Sequence, residues 1–288
     1  MAVTEDALEV TKLLTHVFEN DAPLPDVKRL DLTDGLYLAP VLPFLLRADD
    51  DYHLMAVTPR FSEFFRDHLH RSTLNVAYRG SKDLNHEGVN SEEESAKRKI
   101  DHYLLSAMIF SPHFLAPYAS FVTIPDENRI CHSSRMKDFG RLGSSDQPLT
   151  DADFTSISKL YGSIKDVLAA GTTGQLPTAL RYYQQAFRSD IDWSVRFLGM
   201  MMAMEALFSR GASEISHQVS ERTAFFLKQS PNEREDLYNQ MRSHYSLRSR
   251  IAHGGTPDGG RDRLEDSFGQ LLRTLRDALA RILDESAL

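Results

Sequence analysis

The chain has 288 residues, of which 41% are hydrophobic and 26% are charged, and its net charge is −8. This apolar content excludes disorder along the whole chain, and no apolar run reaches the ~20 residues that a membrane-spanning helix needs. The single cysteine, Cys131, excludes an intramolecular disulfide, and the N-terminal stretch lacks the basic and apolar regions of a signal peptide. We therefore expect a cytoplasmic protein without a membrane partner. Its negative net charge does not attract nucleic acid, so that any contact with RNA or DNA must come from a local basic patch.

The beginning of the chain predicts a mixture of helices and extended segments. Leucines and aromatics recur at helical spacing between Ala7 and Phe18. The segment from Leu36 to Leu46 contains two prolines and is expected to be extended or irregular. A further helix is predicted from Thr58-Pro59 through Leu69, and residues 73–78 are typical of a short strand.

A polar loop follows, and Ser91 with Glu94 is predicted to close it with a capping box. The apolar spacing from Ile100 to Ile109 predicts a helix, and residues 121–132, with a Pro-Asp-Glu-Asn turn, predict a hairpin. Residues 137–149 contain glycines, serines and a proline, which favours a linker. Residues 1–148 are thus interpreted as an N-terminal α+β region of unknown role.

From Thr150 onward the apolar periodicity is helical with few interruptions. Six successive helices are predicted, beginning at a Thr150/Asp153 cap, near Thr178, after Asp192, near Glu214, after Pro231 and near Leu264. Amphipathic helices joined by short loops are typical of an antiparallel bundle. The fold class expected is therefore mainly α, with a helical bundle over residues 149–288.

Several motifs that could carry chemistry have simpler structural explanations. His68 and His70 are two apart on a predicted helix and so point in different directions, which makes them a poor metal pair. The glycine-rich segment 254–260 follows a helix and lacks the lysine of a phosphate-binding loop. Cys131 has no activating base beyond its neighbour His132. The sequence therefore predicts neither a metal ion nor a cofactor.

One candidate remains at the end of the fifth helix of this second half, in the segment YSLRSRIAHG at 245–254. An arginine, a polar residue after it, and a histidine with four to six residues between it and the arginine occur there as Arg248, Ser249 and His253. The spacing alone has little specificity, because four pairs in the chain have it: Arg47/His53, Arg79/His86, Arg210/His217 and Arg248/His253. Only the last is expected at the end of an amphipathic helix, with Tyr245 before it and a glycine after it.

With this motif the chain resembles the HEPN superfamily, and within it the Apea-like branch. The segments RFLGMMMAMEALF at 196–208 and SERTAFFL at 220–227 are similar to the family's core helices. The resemblance covers about residues 149–288. It implies a helical bundle that forms a homodimer, with two Arg/His pairs in one shared cleft, and RNA as the substrate.

The resemblance also implies metal-independent RNA cleavage by transesterification to a 2′,3′-cyclic phosphate. His253 would transfer protons, Arg248 would stabilise the charge on phosphorus, and Ser249 would bind a phosphate oxygen or orient the histidine. On an ideal helix Arg248 and His253 diverge by roughly 140°, so the helix end must unwind or a second subunit must complete the site.

Three further residues are candidates for supporting roles: Glu205, Tyr245 and Arg250. Glu205 is an acidic residue within a strongly apolar helix, so we expect it to pair with Arg248 or Arg250 across the bundle. The alternative is that it faces solvent beside Arg196 and Ser209.

Three functions remain open from the sequence. The first is an endoribonuclease acting as a toxin or antiviral defence effector, which would involve an antitoxin or another regulatory partner. The second is a non-catalytic RNA- or nucleotide-binding module in which the first half senses a ligand. The third is a dimerisation scaffold.

Overall fold

The structure is a computed structural model. It describes residues 9–18, 29–40, 72–81, 91–111, 117–127, 129–135, 149–171, 173–188, 191–211, 213–255 and 260–285. The chain divides into two compact units, Met1–Ser158 and Lys159–Leu288. The sequence placed its boundary between residues 148 and 149, at the end of a proposed linker, most of which lies outside the described residues.

The first unit contains one antiparallel sheet with the strand order β2-β3-β4-β1-β5-β6. Its strands are β1 Glu9–Phe18, β2 Leu30–Asp31, β3 Leu36–Pro40, β4 Ser72–Ser81, β5 Pro117–Ile124 and β6 Arg129–Arg135. The long helix α1, Ser91–Phe110, contacts β4. Leucines and valines that alternate along the strands are buried on one face of the sheet, and Asn75 on the other face of β4 is buried as well.

The helix predicted between Ala7 and Phe18 is wrong, because Glu9–Phe18 is the strand β1. This strand pairs with β4 on one side and β5 on the other, so its backbone hydrogen bonds are used within the sheet. Lys12 and Leu14 are both buried, two residues apart, which is the period of a strand. The valines and threonines of the segment suit a pleated surface, and the sheet environment outweighs the helical spacing of its leucines.

Other expectations for this unit are confirmed where the structure describes them. The strand at 73–78, the helix through Ile100 and the hairpin at 121–132 are β4, α1 and the β5–β6 pair. The extended segment from Leu36 is β3 up to Pro40. The helix from Thr58 with His68 and His70, the loop before Ser91 and most of the linker lie outside the described residues.

The β2–β3 hairpin has a turn that the sequence analysis missed. Asp34 and Gly35 both have positive φ, at 53° and 79°, as a two-residue type I′ turn requires. The Leu36 amide donates to the Thr33 carbonyl at 2.8 Å across this turn. Lys99 of α1 donates to the Asp34 carbonyl at 3.1 Å, which fixes the hairpin to the helix.

All six helices predicted in the second half are confirmed. They are α2 Asp151–Ala170, α3 Gln175–Gln185, α4 Trp193–Phe208, α5 Ile215–Leu227, α6 Pro231–Ala252 and α7 Gly260–Glu285, and the division between the two units falls within α2. The protein is therefore mainly helical, with one antiparallel sheet. Among the described helices, none combines the length and apolar content needed to cross a bilayer.

The helix α4 is the central element of the second unit and contacts α3, α5, α6 and α7. Its Phe197, Met200, Met201 and Met204 are fully buried in the core, whereas Met202 is exposed. Trp193, in its first turn, packs edge-to-face on Phe268 of α7 with ring centroids 5.1 Å apart. This ring contact joins the start of α4 to α7.

Candidate functional site

The helix α6 carries the candidate motif and has well-defined ends. Ser230 and Glu233 form a capping box at its start, in which the Glu233 amide donates to Ser230 Oγ at 3.3 Å. At its end the Gly254 amide donates to the Ile251 carbonyl at 3.0 Å, and the Gly255 amide donates to the Arg250 carbonyl at 2.9 Å. This pair of bonds is a Schellman motif, and Gly254 supplies the left-handed residue that it requires, with φ 77°.

The Schellman motif makes His253 the C-cap residue of α6. Its amide still donates to the Ser249 carbonyl at 3.2 Å, but its φ and ψ of −94° and 14° have left the helical range. The residue is exposed. His253 therefore lies at the C-terminal end of α6, one residue before the left-handed Gly254.

Glu205 of α4 pairs with Arg248 of α6, which confirms the pairing expected from the sequence. The Arg248 Nη2 and Glu205 Oε1 atoms are 3.7 Å apart, with side-chain exposures of 40% and 22%. An ion pair this long and this exposed contributes about 0–1 kcal/mol to stability. It therefore orients the guanidinium more than it stabilises the fold, and it leaves Arg248 open to solvent.

Tyr245 lies beside this ion pair. Its hydroxyl is shielded from solvent, and within the described chain no hydrogen bond of standard geometry reaches it. Burial raises the pKa of the Tyr245 phenol, the Glu205 carboxylate raises it further, and Arg248 opposes both. The contact with Glu205 is thus looser than a standard hydrogen bond, and the phenol stays protonated as a potential donor.

An open cleft of about 440 Å³ lies between α4, α5 and α6 at this point. Two guanidinium groups, several hydroxyl groups and one carboxylate line it: Glu205, Ile215, Ser216, Arg242, Tyr245, Ser246, Arg248 and Ser249. Arg242 Nη1 donates to Ser216 Oγ at 3.0 Å, which joins α6 to the first turn of α5 across the cleft. Guanidinium and hydroxyl donors in one concave surface are a suitable chemistry for binding phosphate.

The structure brings four of the six predicted residues together in the cleft: Glu205, Tyr245, Arg248 and Ser249. His253 and Arg250 do not line it. Arg250 is exposed, and its aliphatic chain lies against Gly255, where an added Cβ would come within 2.8 Å of Arg250 Cγ. Arg248 and Ser249 of the motif therefore meet Glu205 within one chain, whereas the motif histidine does not line the cleft.

Sequence reasoning missed His244, which is buried in the packing between α4 and α6. Its ring meets Phe197 edge-to-face at 5.9 Å, and its Nε2 atom has no hydrogen-bond partner in the described part of the chain. Burial lowers the pKa of His244 to about 4. Leu237, Met241 and His244 have the i, i+4, i+7 spacing of the buried face, and this pattern could have identified it.

Sequence reasoning also missed Arg242 and Ser216, because neither belongs to the motif. Arg242 is one helical turn before Tyr245 and Ser246 on α6, so helical spacing from the motif could have indicated it. Ser216 could not have been found in this way, since it reaches the cleft through the packing of α5 on α6.

A comparison of the chain with protein-family models, with curated proteins and with solved structures finds no match.

Proposed function

We propose that the C-terminal helical unit is a metal-independent endoribonuclease of HEPN type, with its phosphate-binding site in the cleft between α4, α5 and α6. The observation that carries the proposal is the meeting of Arg248, Arg242 and Ser249 in one solvent-open cleft. The motif resemblance extends the proposal to a toxin or antiviral effector held by an antitoxin or another regulatory partner.

The cleft residues together with His253 at the end of α6 supply the groups that RNA transesterification needs. This reaction requires a cation near the phosphorane, donors for its oxygens and groups that transfer protons. Arg248 supplies a permanent charge with forked donors, Glu205 orients it, and Ser249 and Tyr245 supply hydroxyl donors. His253 supplies an accessible imidazole at the end of α6.

A homodimer is part of the proposal, because His253 does not line the cleft of its own subunit. Exposed apolar side chains on α4 support a partner face beside the cleft. Val195 and Met202 are 54% and 41% exposed, and they lie seven residues apart on one face of the helix that carries Glu205. A second copy that packs there would bring its own α6 towards this site.

A non-catalytic RNA- or nucleotide-binding module is the second candidate. The separation of His253 from the cleft favours it, because binding needs only the guanidinium and hydroxyl groups. In this function Glu205 would set the affinity by competing with phosphate for Arg248.

The test is incubation of the purified protein with labelled RNA in excess chelator, beside Arg248→Ala and His253→Ala variants. Cleavage that resists the chelator and is lost in both variants supports the endoribonuclease. Arg273→Ala is the matched control, because Arg273 is an exposed arginine on α7 outside the cleft.

The other outcomes separate the candidates. Binding without cleavage, weakened by Arg248→Ala and unaffected by Arg273→Ala, identifies the binding module. If the wild-type protein neither binds nor cuts RNA, both nucleic-acid functions are wrong.

A further inference from the structure

A second imidazole lies next to the cleft, on the helix opposite the motif. His217 follows the cleft residue Ser216 on α5, and its Nδ1 atom is 3.1 Å from the Tyr238 hydroxyl of α6. The two rings meet edge-to-face with centroids 5.8 Å apart. This hydrogen bond and ring contact fix the position of the His217 imidazole although the residue is exposed.

The pair is continuous with the cleft along the line where α5 packs on α6. Tyr238 and Arg242 are four residues apart on α6, so they share a face and are separated by about 6 Å along the helix axis. Arg242 in turn donates to Ser216 at 3.0 Å. His217, Tyr238, Arg242 and Ser216 therefore form one connected group, which we name the α5–α6 seam.

Within one chain the motif supplies one of the two proton-transfer groups that the reaction needs, and His217 offers the second without the His253 of a second copy. Transesterification needs one group to take the 2′-hydroxyl proton and another to protonate the leaving oxygen, whereas the motif contributes a single histidine to each chain. The charged side chains one helical turn from the seam pair are Glu214, at the N-cap of α5, Glu221 on α5, and Arg234, Glu235 and Arg242 on α6. Arg242 is the one that also lines the cleft.

We propose that His217 is the second proton-transfer group of the endoribonuclease, positioned by Tyr238 and acting on the phosphate that Arg242 and Arg248 bind. The inference rests on the proposed function. The 2′-hydroxyl proton passes to neutral His217 while the 2′-oxygen bonds to phosphorus. The bond from phosphorus to the 5′-oxygen breaks, and that oxygen takes a proton from the His253 imidazolium. The products are a 2′,3′-cyclic phosphate and a 5′-hydroxyl.

The experiment is single-turnover RNA cleavage in excess chelator between about pH 5 and 9, the range that brackets histidine titration, with RNA affinity measured in parallel. His217→Asn is expected to lower the rate constant by about 10²-fold or more and to remove one limb of the pH–rate profile. Its RNA affinity is expected to change less than about threefold, since Arg242 and Arg248 are retained. Tyr238→Phe keeps the ring contact but loses the hydrogen bond, and is expected to slow cleavage by about 10-fold.

His102→Asn is the control, because His102 lies on α1 of the first unit. If His217→Asn cleaves RNA at the wild-type rate with an unchanged pH profile while His253→Asn is inactive, the role of His217 is wrong and the endoribonuclease stands. If the wild-type protein does not cleave RNA, both the endoribonuclease and the role of His217 are wrong. Equal losses of RNA affinity and cleavage rate in His217→Asn would also overturn the proton-transfer role of His217, because they indicate a binding role.

Discussion

At the residue scale, Arg248 is paired with Glu205 in the cleft where the proposed function has it bind phosphate. The pair is 3.7 Å long and open to solvent, so a phosphate can displace the carboxylate at little cost. In the proposed function, the pair with Glu205 therefore holds the Arg248 guanidinium towards the cleft when no RNA is bound.

Arg248→Ala is expected to weaken RNA binding by about 10-fold, or ~1.4 kcal/mol, and to reduce the slope of log affinity against log salt by about 1. Glu205→Gln is expected to tighten binding, because it removes the competing charge. Fluorescence anisotropy over a salt series measures both. Equal effects of Arg248→Ala and the exposed control Arg273→Ala would contradict a specific phosphate contact.

His244 makes the stability of the folded protein depend on pH, and the stability falls as the pH decreases. An unfolded-state histidine titrates near pH 6.5, whereas burial lowers the pKa of His244 to about 4 in the folded protein. Between these values the unfolded chain binds more protons, so stability is complete above about pH 6.5 and falls as the pH decreases towards 4. The loss is ~1.4 kcal/mol per pH unit and on the order of 3 kcal/mol in total.

Urea unfolding of the wild type and of His244→Phe, at several pH values across this window, measures that contribution as a difference. The variant is expected to lose less stability on acidification, because it keeps a ring against Phe197 but has no group to protonate. Parallel pH dependences would show that His244 is not the titrating group.

At the scale of the element, the end of α6 determines where His253 stands. Gly254 has φ 77°, and an added Cβ there would meet no atom within 4 Å, so a substitution tests the backbone conformation alone. Gly254→Ala is expected to destabilise the protein by about 1 kcal/mol. Gly162→Ala in α2, at a helical glycine that is equally open, is expected to stabilise it by about 0.5–1 kcal/mol.

Urea unfolding of the two variants measures both changes in the free energy of unfolding, which are expected to have opposite signs. If Gly254→Ala were neutral, the left-handed conformation of Gly254 after the C-cap of α6 would be wrong, and with it the position of His253 at the helix end.

The helices of the second half could be predicted from the sequence because capping residues close to each helix start mark where it begins. The Asp192 side chain accepts from the Ser194 amide at 2.8 Å, and Thr150 with Asp153 forms the expected cap, so each helix start is encoded within a few residues. The strand β1 was mistaken for a helix because its partners, β4 and β5, lie far away in sequence. Non-local pairing of this kind leaves only a weak period-two pattern in the strand itself.

For the whole molecule, the candidate site shows the same difference between features encoded locally and contacts made by packing. The Glu205–Arg248 pair was predicted, because a lone carboxylate in an apolar helix requires a partner. The α5–α6 seam was not, since the contact of His217 with Tyr238 depends on how two helices pack. Helical spacing identifies which residues of one helix share a face, but it does not identify the residues opposite them.

The proposed homodimer predicts a whole-molecule change from single substitutions on α4. Val195→Glu and Met202→Glu would bury a charge in the partner face, so each is expected to yield a monomer with a lower cleavage rate. Phe225→Glu is the control, because Phe225 is 58% exposed on α5, where the Arg234 guanidinium covers its ring. Light scattering coupled to size-exclusion chromatography measures the mass of each variant.

A wild-type monomer, or a dimer that survives both α4 substitutions, would contradict the partner face on α4.

We propose that the cleft between α4, α5 and α6 cuts RNA without metal by means of the 2′-hydroxyl. The most direct measurement compares an RNA with its fully 2′-O-methylated counterpart in excess chelator and identifies the product ends. We predict that both are bound, that only the unmodified RNA is cut, and that its products end in a 2′,3′-cyclic phosphate. Cleavage of the methylated RNA, or binding of the unmodified RNA with no cleavage at all, would contradict the account.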